Sequence, residues 1–430
     1  MSPDRERRWA VRSWWLLASA LVLAALSCSE RIEVLTGIGT GGTASDGGLP
    51  VGCAACQIGD ICIASRCRQP QLGTLTAGEA HTCRIVGGIL SCWGSNEQGQ
   101  LGTGDTTRRL TPTRVRTMTM WQLITAGANH TCGIVRASQT VMCWGDNRQG
   151  QLGDSGDNGG NNMMGGGGRP RGQPLVSDLT EVFDLDCGGD NCCLLRASGA
   201  LWCWGANASG AVGVASDGAP VPRPTRVAQE SSFLSVSVGR GHACAVRNDG
   251  ALMCWGENDA GQLGDDTLTS RVTPRQVGSD VGWARVSAGD QHTCGLRSNG
   301  LLLCWGANYE LQLGSDPNMP DSADPMTESP APVDIDDDWW VIATGDYHSC
   351  GLKGDDVLQC WGRNTSNQLG SPDERRHVAT TITWQRIALG AAHSCGTDLG
   401  QQLYCWGANE QGQLGLGDTL QRARPTLVPY

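Results

Sequence analysis

The sequence predicts an all-β repeat protein, and three observations lead there. The tripeptide Cys-Trp-Gly occurs seven times, its Cys at Cys92, Cys143, Cys203, Cys254, Cys304, Cys360 and Cys405. That is a period of about 52 residues, long enough for one supersecondary unit per copy. A second Cys precedes each copy, and its spacing changes in step with the turn between the two. Gly is abundant (61 residues) while Phe and Tyr number 2 and 4, leaving 16 Trp as the main bulky core residue. Regular aromatics among many glycines suit a turn-rich β chain better than a helical one.

Each unit opens with an apolar or aromatic residue: Leu72, Trp121, Val182, Phe233, Trp283, Trp339 and Trp384. Six residues later comes Gly-x-x-His-x-Cys, as in Gly78 to Cys83 and Gly239 to Cys244, with Asn191 replacing His in the third copy. After the Trp an Asn stands at the third position (Asn96, Asn147, Asn207, Asn258, Asn308, Asn364, Asn409), followed by Gly-Gln-Leu-Gly or a degraded form of it. In the fourth copy Arg247-Asn-Asp-Gly-Ala251 separates the two cysteines. Asn-Asp-Gly suits a type I turn with Gly in the left-handed bulge position. Counting outward from Arg247 and Ala251 sets Cys244 opposite Cys254. The first copy is one residue shorter around Gly87-Gly88, a two-residue hairpin loop, and the second is one residue longer. Loop length and Cys spacing therefore vary together, as a cross-strand pair requires.

Opposed residues of a non-hydrogen-bonded pair have Cβ atoms about 4.5–5.5 Å apart, slightly beyond the disulfide mean, which a small strand adjustment closes. Seven bridges are predicted: Cys83–Cys92, Cys132–Cys143, Cys193–Cys203, Cys244–Cys254, Cys294–Cys304, Cys350–Cys360 and Cys395–Cys405. Cys187 and Cys192 form an extra local pair. Cys53, Cys56, Cys62 and Cys67 form a compact knot, read as disulfide rather than zinc because the chain carries an export signal.

That signal occupies residues 1–27. Arg5, Arg7, Arg8 and Arg12 precede an apolar stretch from Ser13 to Leu26. At about 14 residues it is short for a membrane span and right for a signal core. It ends in Ala25-Leu26-Ser27-Cys28, which resembles the lipobox of bacterial lipoproteins and makes Cys28 the expected lipid attachment site. Leu26 stands where a small residue is usual, so ordinary secretory cleavage nearby and an uncleaved anchor stay open. Residues 28–52 read as a flexible Gly/Thr/Ser tether, 53–67 as the knot and 68–430 as the repeat domain. A net charge of −11, with no basic patch, argues against nucleic acid and against anionic lipid as partners. Contact with the membrane is expected through the lipid alone.

Gly-x-x-His, the short hairpin, Trp-Gly-x-Asn-x-x-Gly-Gln-Leu-Gly and a later Pro-x-x-Val (Pro112 to Val115, Pro224 to Val227, Pro274 to Val277, Pro425 to Val428) resemble the repeat of the regulator of chromosome condensation family. The resemblance spans about residues 68–430. It implies a seven-bladed β-propeller with four-stranded blades, whose histidines bond neighbouring backbone. Two strand positions carry Cys where family members commonly have other residues, which fits an exported bacterial branch. Ring closure is expected to join an N-terminal strand to the last blade, bringing Leu72 near Val428.

Candidate chemistry is sparse. His81, Cys83 and Cys92 share one strand neighbourhood and could offer three metal ligands, but oxidised cysteines have no thiolate to give, so neither metal nor cofactor is expected. The seven Trp of Cys-Trp-Gly recur at one fixed place and read as packing. No Ser-His-Asp set or close acid pair is identifiable. Residues 154–172 read as a disordered loop. Ser315 to Asp338, with eight acidic residues, reads as a solvated insertion, and Asp336, Asp337, Asp338, Trp339 and Trp340 are the candidate binding patch. Eukaryotic members of the family act on a small GTPase and on chromatin, partners that an exported acidic protein does not meet. The expected function is a monomeric, non-enzymatic, envelope-anchored scaffold for a protein partner, at the outer membrane or cell surface. A hydrolase or lyase acting on envelope polysaccharide in the propeller channel is the alternative, to be favoured by acids gathered with His or Arg at the channel mouth. A structural or adhesion component is the third reading.

Overall fold

The computed structural model describes residues 61–63, 66–68, 74–153, 179–229, 231–314, 325–334, 338–354, 356–371, 378 and 381–430. Cys28, Cys53 and Cys56, the tether and the 154–172 loop lie outside these residues. Of the knot, the backbone of Ile61–Ile63 pairs with Arg66–Arg68, setting Cys62 opposite Cys67.

From residue 75 onward the chain forms seven antiparallel sheets, each built from strands consecutive in sequence. They are blades 1 (75–114), 2 (121–145), 3 (182–227), 4 (233–276), 5 (283–332), 6 (339–362) and 7 (384–427). Five have four strands; the described parts of blades 2 and 6 have three. The first strands of successive blades pack side by side around one axis, and that of blade 7 meets that of blade 1. The result is a closed all-β propeller.

Blade 4 shows how sequence makes a blade. Its strands are Phe233–Val238, His242–Arg247, Leu252–Gly256 and Arg271–Gln276. The second and third meet at the Asn-Asp-Gly turn, where the Arg247 amide donates to the Ala251 carbonyl at 2.8 Å. Gly250 takes φ +81°, a value that costs glycine nothing. Cys244 then faces Cys254 with Cα atoms 4.1 Å apart, in a disulfide. The same cross-strand bridge occurs in all seven blades, and Cys187–Cys192 adds an eighth.

Packing inside a blade is a size trade. Trp121, Trp283, Trp339 and Trp384 each lie 5.4 to 5.8 Å, centroid to centroid, from the Trp of their own Cys-Trp-Gly. In those four blades the residue after the second-strand Cys is Gly, and a Cβ there would strike the indole; at Gly133 it would come 2.7 Å from Trp121 Cε3. Where the opening residue shrinks to Phe233 or Val182, the partner grows to Ala245 or Leu194. The summed volume is thus held near constant, as a close-packed core demands.

Three expectations are corrected. Blade 7 takes its four strands from residues 384–427, and Leu75–Ala77 pairs within blade 1, so among the described residues no N-terminal strand joins the last blade. The ring closes instead through packing of Leu75 and Trp93 against Leu403, Leu414 and Val428, and through hydrogen bonds such as Gly417 N–H to Leu110 O at 2.8 Å. The 315–338 insertion contains the fourth strand of blade 5, Met326–Pro332. Its prolines are tolerated because this is an edge strand, and Val333 is buried with its amide donating to Leu302 O at 3.0 Å. Trp339 and Trp340 expose 0 % and 6 % of their surface, so neither indole belongs to an exposed patch. Trp339 is the packing Trp of blade 6, and its Nε1 donates to Asp334 at 3.0 Å.

Candidate functional site

Most repeated residues are occupied in joining blades. His242 Nε2 lies 2.8 Å from Thr293 Oγ1 of the next blade. Thr293 donates to the Gln262 carbonyl at 2.8 Å, and Trp305 Nε1 donates to that same carbonyl at 2.9 Å. Because the hydroxyl proton goes to the carbonyl, the imidazole must donate from Nε2, which fixes the tautomer. The pattern returns at His81–Thr131, His292–Ser349, His348–Ser394 and His393–Thr82. The partner is thus a hydroxyl of the next blade rather than neighbouring backbone. Where blade 4 offers Ala243 instead of a hydroxyl, blade 3 carries Asn191 instead of His, and Asn191 Nδ2 reaches Arg240 O at 3.5 Å. Burial holds His81, His292 and His348 down at about 3, and His130, His242 and His393 at about 4.

The repeated Asn anchors the loop after the third strand, its Oδ1 accepting from the amide five residues on in every blade, as from Asn258 to Leu263 at 2.9 Å. One group has metal-like spacing: His130, Cys132, Cys187 and Cys192 bring their ligand atoms within 4.8 Å of one another. All three sulfurs are in disulfides, so they offer no thiolate. His130 Nε2 lies 3.0 Å from Cys192 Sγ, which takes the place of the hydroxyl in this joint.

What remains for function lies at positions the repeat leaves variable. The first is the mouth of the axis, built from the two residues between Gly and His in each loop from first to second strand. There Glu79, Asp190, Asp290, Asp346 and Tyr347 gather around one cation, Arg240. Arg240 lies 3.9 Å from Asp290 and 3.6 Å from Asp346. Asp346 is pushed up to about 6, first by burial and then by the charge of Asp290. Tyr347 is pushed up to about 12 by its hydrogen bond to Asp290. Burial also raises Asp190 and Glu257. Side chains from neighbouring blades brace the rim: Asn129 donates to Glu79 at 3.2 Å and Gln151 to Asp190 at 3.1 Å. The mouth is an acidic bowl centred on Arg240, with Arg363 lying over the Tyr347 ring at 5.2 Å and the charge of Arg148 felt by Asp190.

The second variable place is the axial wall below it. At one level a first-strand side chain caps an amide of the next blade: Thr125 accepts from Cys187 N–H at 3.1 Å, Ser237 from Ala288 N–H at 3.1 Å and Ser287 from Thr344 N–H at 3.1 Å, whereas blades 6 and 7 carry Ala343 and Ala388 there. Asp186 holds this post in blade 3, accepting from Val238 N–H at 2.8 Å and Thr125 Oγ1 at 3.0 Å, and burial pushes it up to about 7. Two residues earlier on the strands stand Asp184, pushed up to about 6 by burial, Ser235 and Arg285.

Of the proposed patch, Trp339 and Trp340 are in the core, Asp338 stands 3.8 Å from Lys353, and Asp336 and Asp337 lie outside the described residues. The mouth was missed because its acids occupy one or other of two variable positions in several copies and converge only when the ring closes.

A ring of blades, with loops gathered at an axial mouth and repeat residues committed to the seams, defines a seven-bladed β-propeller. The chain matches the RCC1-like domain over residues 159–430, and the regulator of chromosome condensation (RCC1) repeat over 88–134 and 121–151. It belongs to the RCC1-like family. Similar proteins include the Ultraviolet-B receptor UVR8 of Arabidopsis thaliana, 29% identical over 48% of this chain and 46% of its own length. The E3 ubiquitin-protein ligase HERC2 of Mus musculus is 31% identical over 47% of this chain and 4% of its own. The chain thus spans less than half the length of these relatives. Among solved structures, yeast RCC1 (Prp20), seen bound to Kap60, superposes with a TM-score of 0.70 at 19% identity, covering 91% of both chains. Human WBSCR16 superposes with a TM-score of 0.68 at 20% identity, over 80% of this chain and 94% of its own. At these identities the structures speak for the fold alone.

Proposed function

We propose that this chain is an exported bacterial lipoprotein, anchored through Cys28 in the cell envelope, whose propeller holds a protein partner on the face that carries the axial mouth. The observation that carries the reading is the acidic bowl around Arg240. Its side chains come from four blades, stand outside the histidine–hydroxyl joints, and sit where loops of a rigid scaffold converge. A bowl with this charge suits a partner that presents Lys or Arg, with Arg240 receiving a carboxylate or carbonyl at the centre. The yeast neighbour is a protein of this fold that has been seen bound to another protein, Kap60.

The test is a pull-down from cell-envelope extract with the purified, oxidised ring. Deleting the 315–338 segment is unsuitable as a control because it would remove a blade strand. Asp290→Lys with Asp346→Lys reverses the bowl while leaving the seams intact. A partner retained near stoichiometry by the wild type and lost by this variant supports the reading; equal retention by both overturns the assignment of the face. Labelling with a fatty acid that disappears in Cys28→Ala tests the anchor.

The gathering of acids with Arg240 at the mouth is also the feature that favours the enzymatic alternative. Asp346, held near 6 beside Arg240 and Asp290, has the character of a general acid. Turnover of envelope polysaccharide that is abolished in Asp346→Asn would establish it, and absence of turnover leaves the binding reading in place.

A further inference from the structure

Arg285 is a charged side chain on the innermost strand of blade 5, half-buried in the axial wall and without a direct partner among the described residues. Its Nε is sealed from solvent with no hydrogen-bond partner, and no ion pair or hydrogen bond engages its guanidinium among the described residues. Asp184 of blade 3 is the one group whose charge acts on it across the axis. That carboxyl is directed elsewhere, accepting from the backbone N–H groups of Leu185 and Val236. Asp186 is likewise committed to Thr125 and Val238. On the adjacent blade, at the same position of the strand, the Ser235 hydroxyl is also buried without a partner. A guanidinium left unpaired at such depth is costly unless a counter-charge reaches it.

We infer that the axial channel takes a monoanionic carboxylate, held by the Arg285 fork with the Ser235 hydroxyl beside it. The planar fork matches a carboxylate with two parallel N–H donors. Charge argues for a monoanion: Asp184 and Asp186 stand in the same wall, and a dianion would meet their repulsion. The carboxylate arrives as a free small acid, or as an Asp or Glu side chain of a peptide inserted through the mouth. This site lies below the bowl and does not depend on the partner reading.

The experiment uses the oxidised ring titrated with sodium acetate and, separately, with a short Asp- and Glu-containing peptide, followed by calorimetry and by the shift of the thermal midpoint. Saturable binding that falls at least about tenfold in Arg285→Met and in Arg285→Lys, the latter keeping charge but losing the fork, supports the site. Asp184→Asn, which removes the opposing charge, should tighten binding about threefold or more. Acetate binding identifies a free acid as a sufficient ligand; binding of the peptide alone assigns the site to an inserted side chain. Absence of saturable binding by either probe, or equal binding by wild type and folded Arg285→Lys, overturns the inference. Failure at the bowl would be read from the envelope pull-down, so the two proposals fail separately.

Discussion

Lowering the pH from 8 to 5 attacks the seams between blades. His81, His130, His242, His292, His348 and His393 are fully buried and protonate only near 3 or 4, whereas in an unfolded chain they titrate near roughly 6.5. Below that value the unfolded chain takes up protons that the folded chain refuses. The histidine contribution is therefore fully present above about 6.5 and is lost progressively as the pH falls towards 4. By that linkage each histidine destabilises the fold by about 2 kcal/mol at pH 5, and six by on the order of 12 kcal/mol. Raised carboxyls oppose them, Asp190 and Glu257 among them, and three most strongly. Asp184 and Asp346 are raised to about 6 and Asp186 to about 7, so the folded state gains their protons first and is stabilised as pH falls. Together they return about 5 kcal/mol at pH 5. The histidines win by about 7 kcal/mol, a large share of the roughly 5–15 kcal/mol that holds a domain folded. Guanidinium unfolding followed by tryptophan fluorescence reads this directly, because each seam includes an indole N–H. His242→Gln, which keeps a donor for Thr293, should lower stability at pH 8 but lose about 2 kcal/mol less between pH 8 and 5. Stability that is flat or rising from pH 7 to 5, or a His242→Gln variant with the wild-type slope, would refute the reasoning.

Three further outcomes follow from the packing. Gly295→Leu drives a side chain into Trp283 and Trp283→Val leaves a void, each costing about 2–4 kcal/mol; the double variant, which copies the Val182 and Leu194 pairing of blade 3, should recover most of that loss in a thermal-melt cycle, and simple additivity would count against the size trade. Gly239→Ala places a methyl against the Gly289 carbonyl of the next blade and should cost more than about 2 kcal/mol, whereas Gly278→Ala, with φ +58° and nothing within 4 Å, should cost about 1 kcal/mol from backbone strain alone. Replacing Cys244 and Cys254 by Ser opens a bridge with a sequence separation of 10 and should lower stability by roughly 2–3 kcal/mol with the fold kept; no change in the melting temperature would mean that the hairpin needs no staple.

The blades were legible because their hardest constraints are local. The Asn248-Asp249-Gly250 turn fixes which residues face each other, and a one-residue slip would send Cys244 and Cys254 to opposite faces. The fourth strand of blade 5 was misread because acids dominate the 315–338 stretch and obscured Pro330-Ala-Pro-Val333, whose Val has the same buried post as Val277 and Val428. The histidine seam was only half visible. His-Thr, His-Ser and the exception His242-Ala243 stand in the sequence, but each pairs with the neighbouring blade, so the matching loss of His at Asn191 acquires a reason only once the blades are adjacent. The axial charges were out of reach for a further reason. Arg285, Asp184 and Ser235 occupy one structural level yet share no residue type, so the periodicity that exposed the scaffold averages them away. In a repeat protein the period marks what every blade needs to close the ring, and specificity falls to the positions where the copies disagree. The bowl around Arg240 and the unpaired Arg285 are both of that kind, which is why function in this chain is to be sought along the axis rather than in Cys-Trp-Gly.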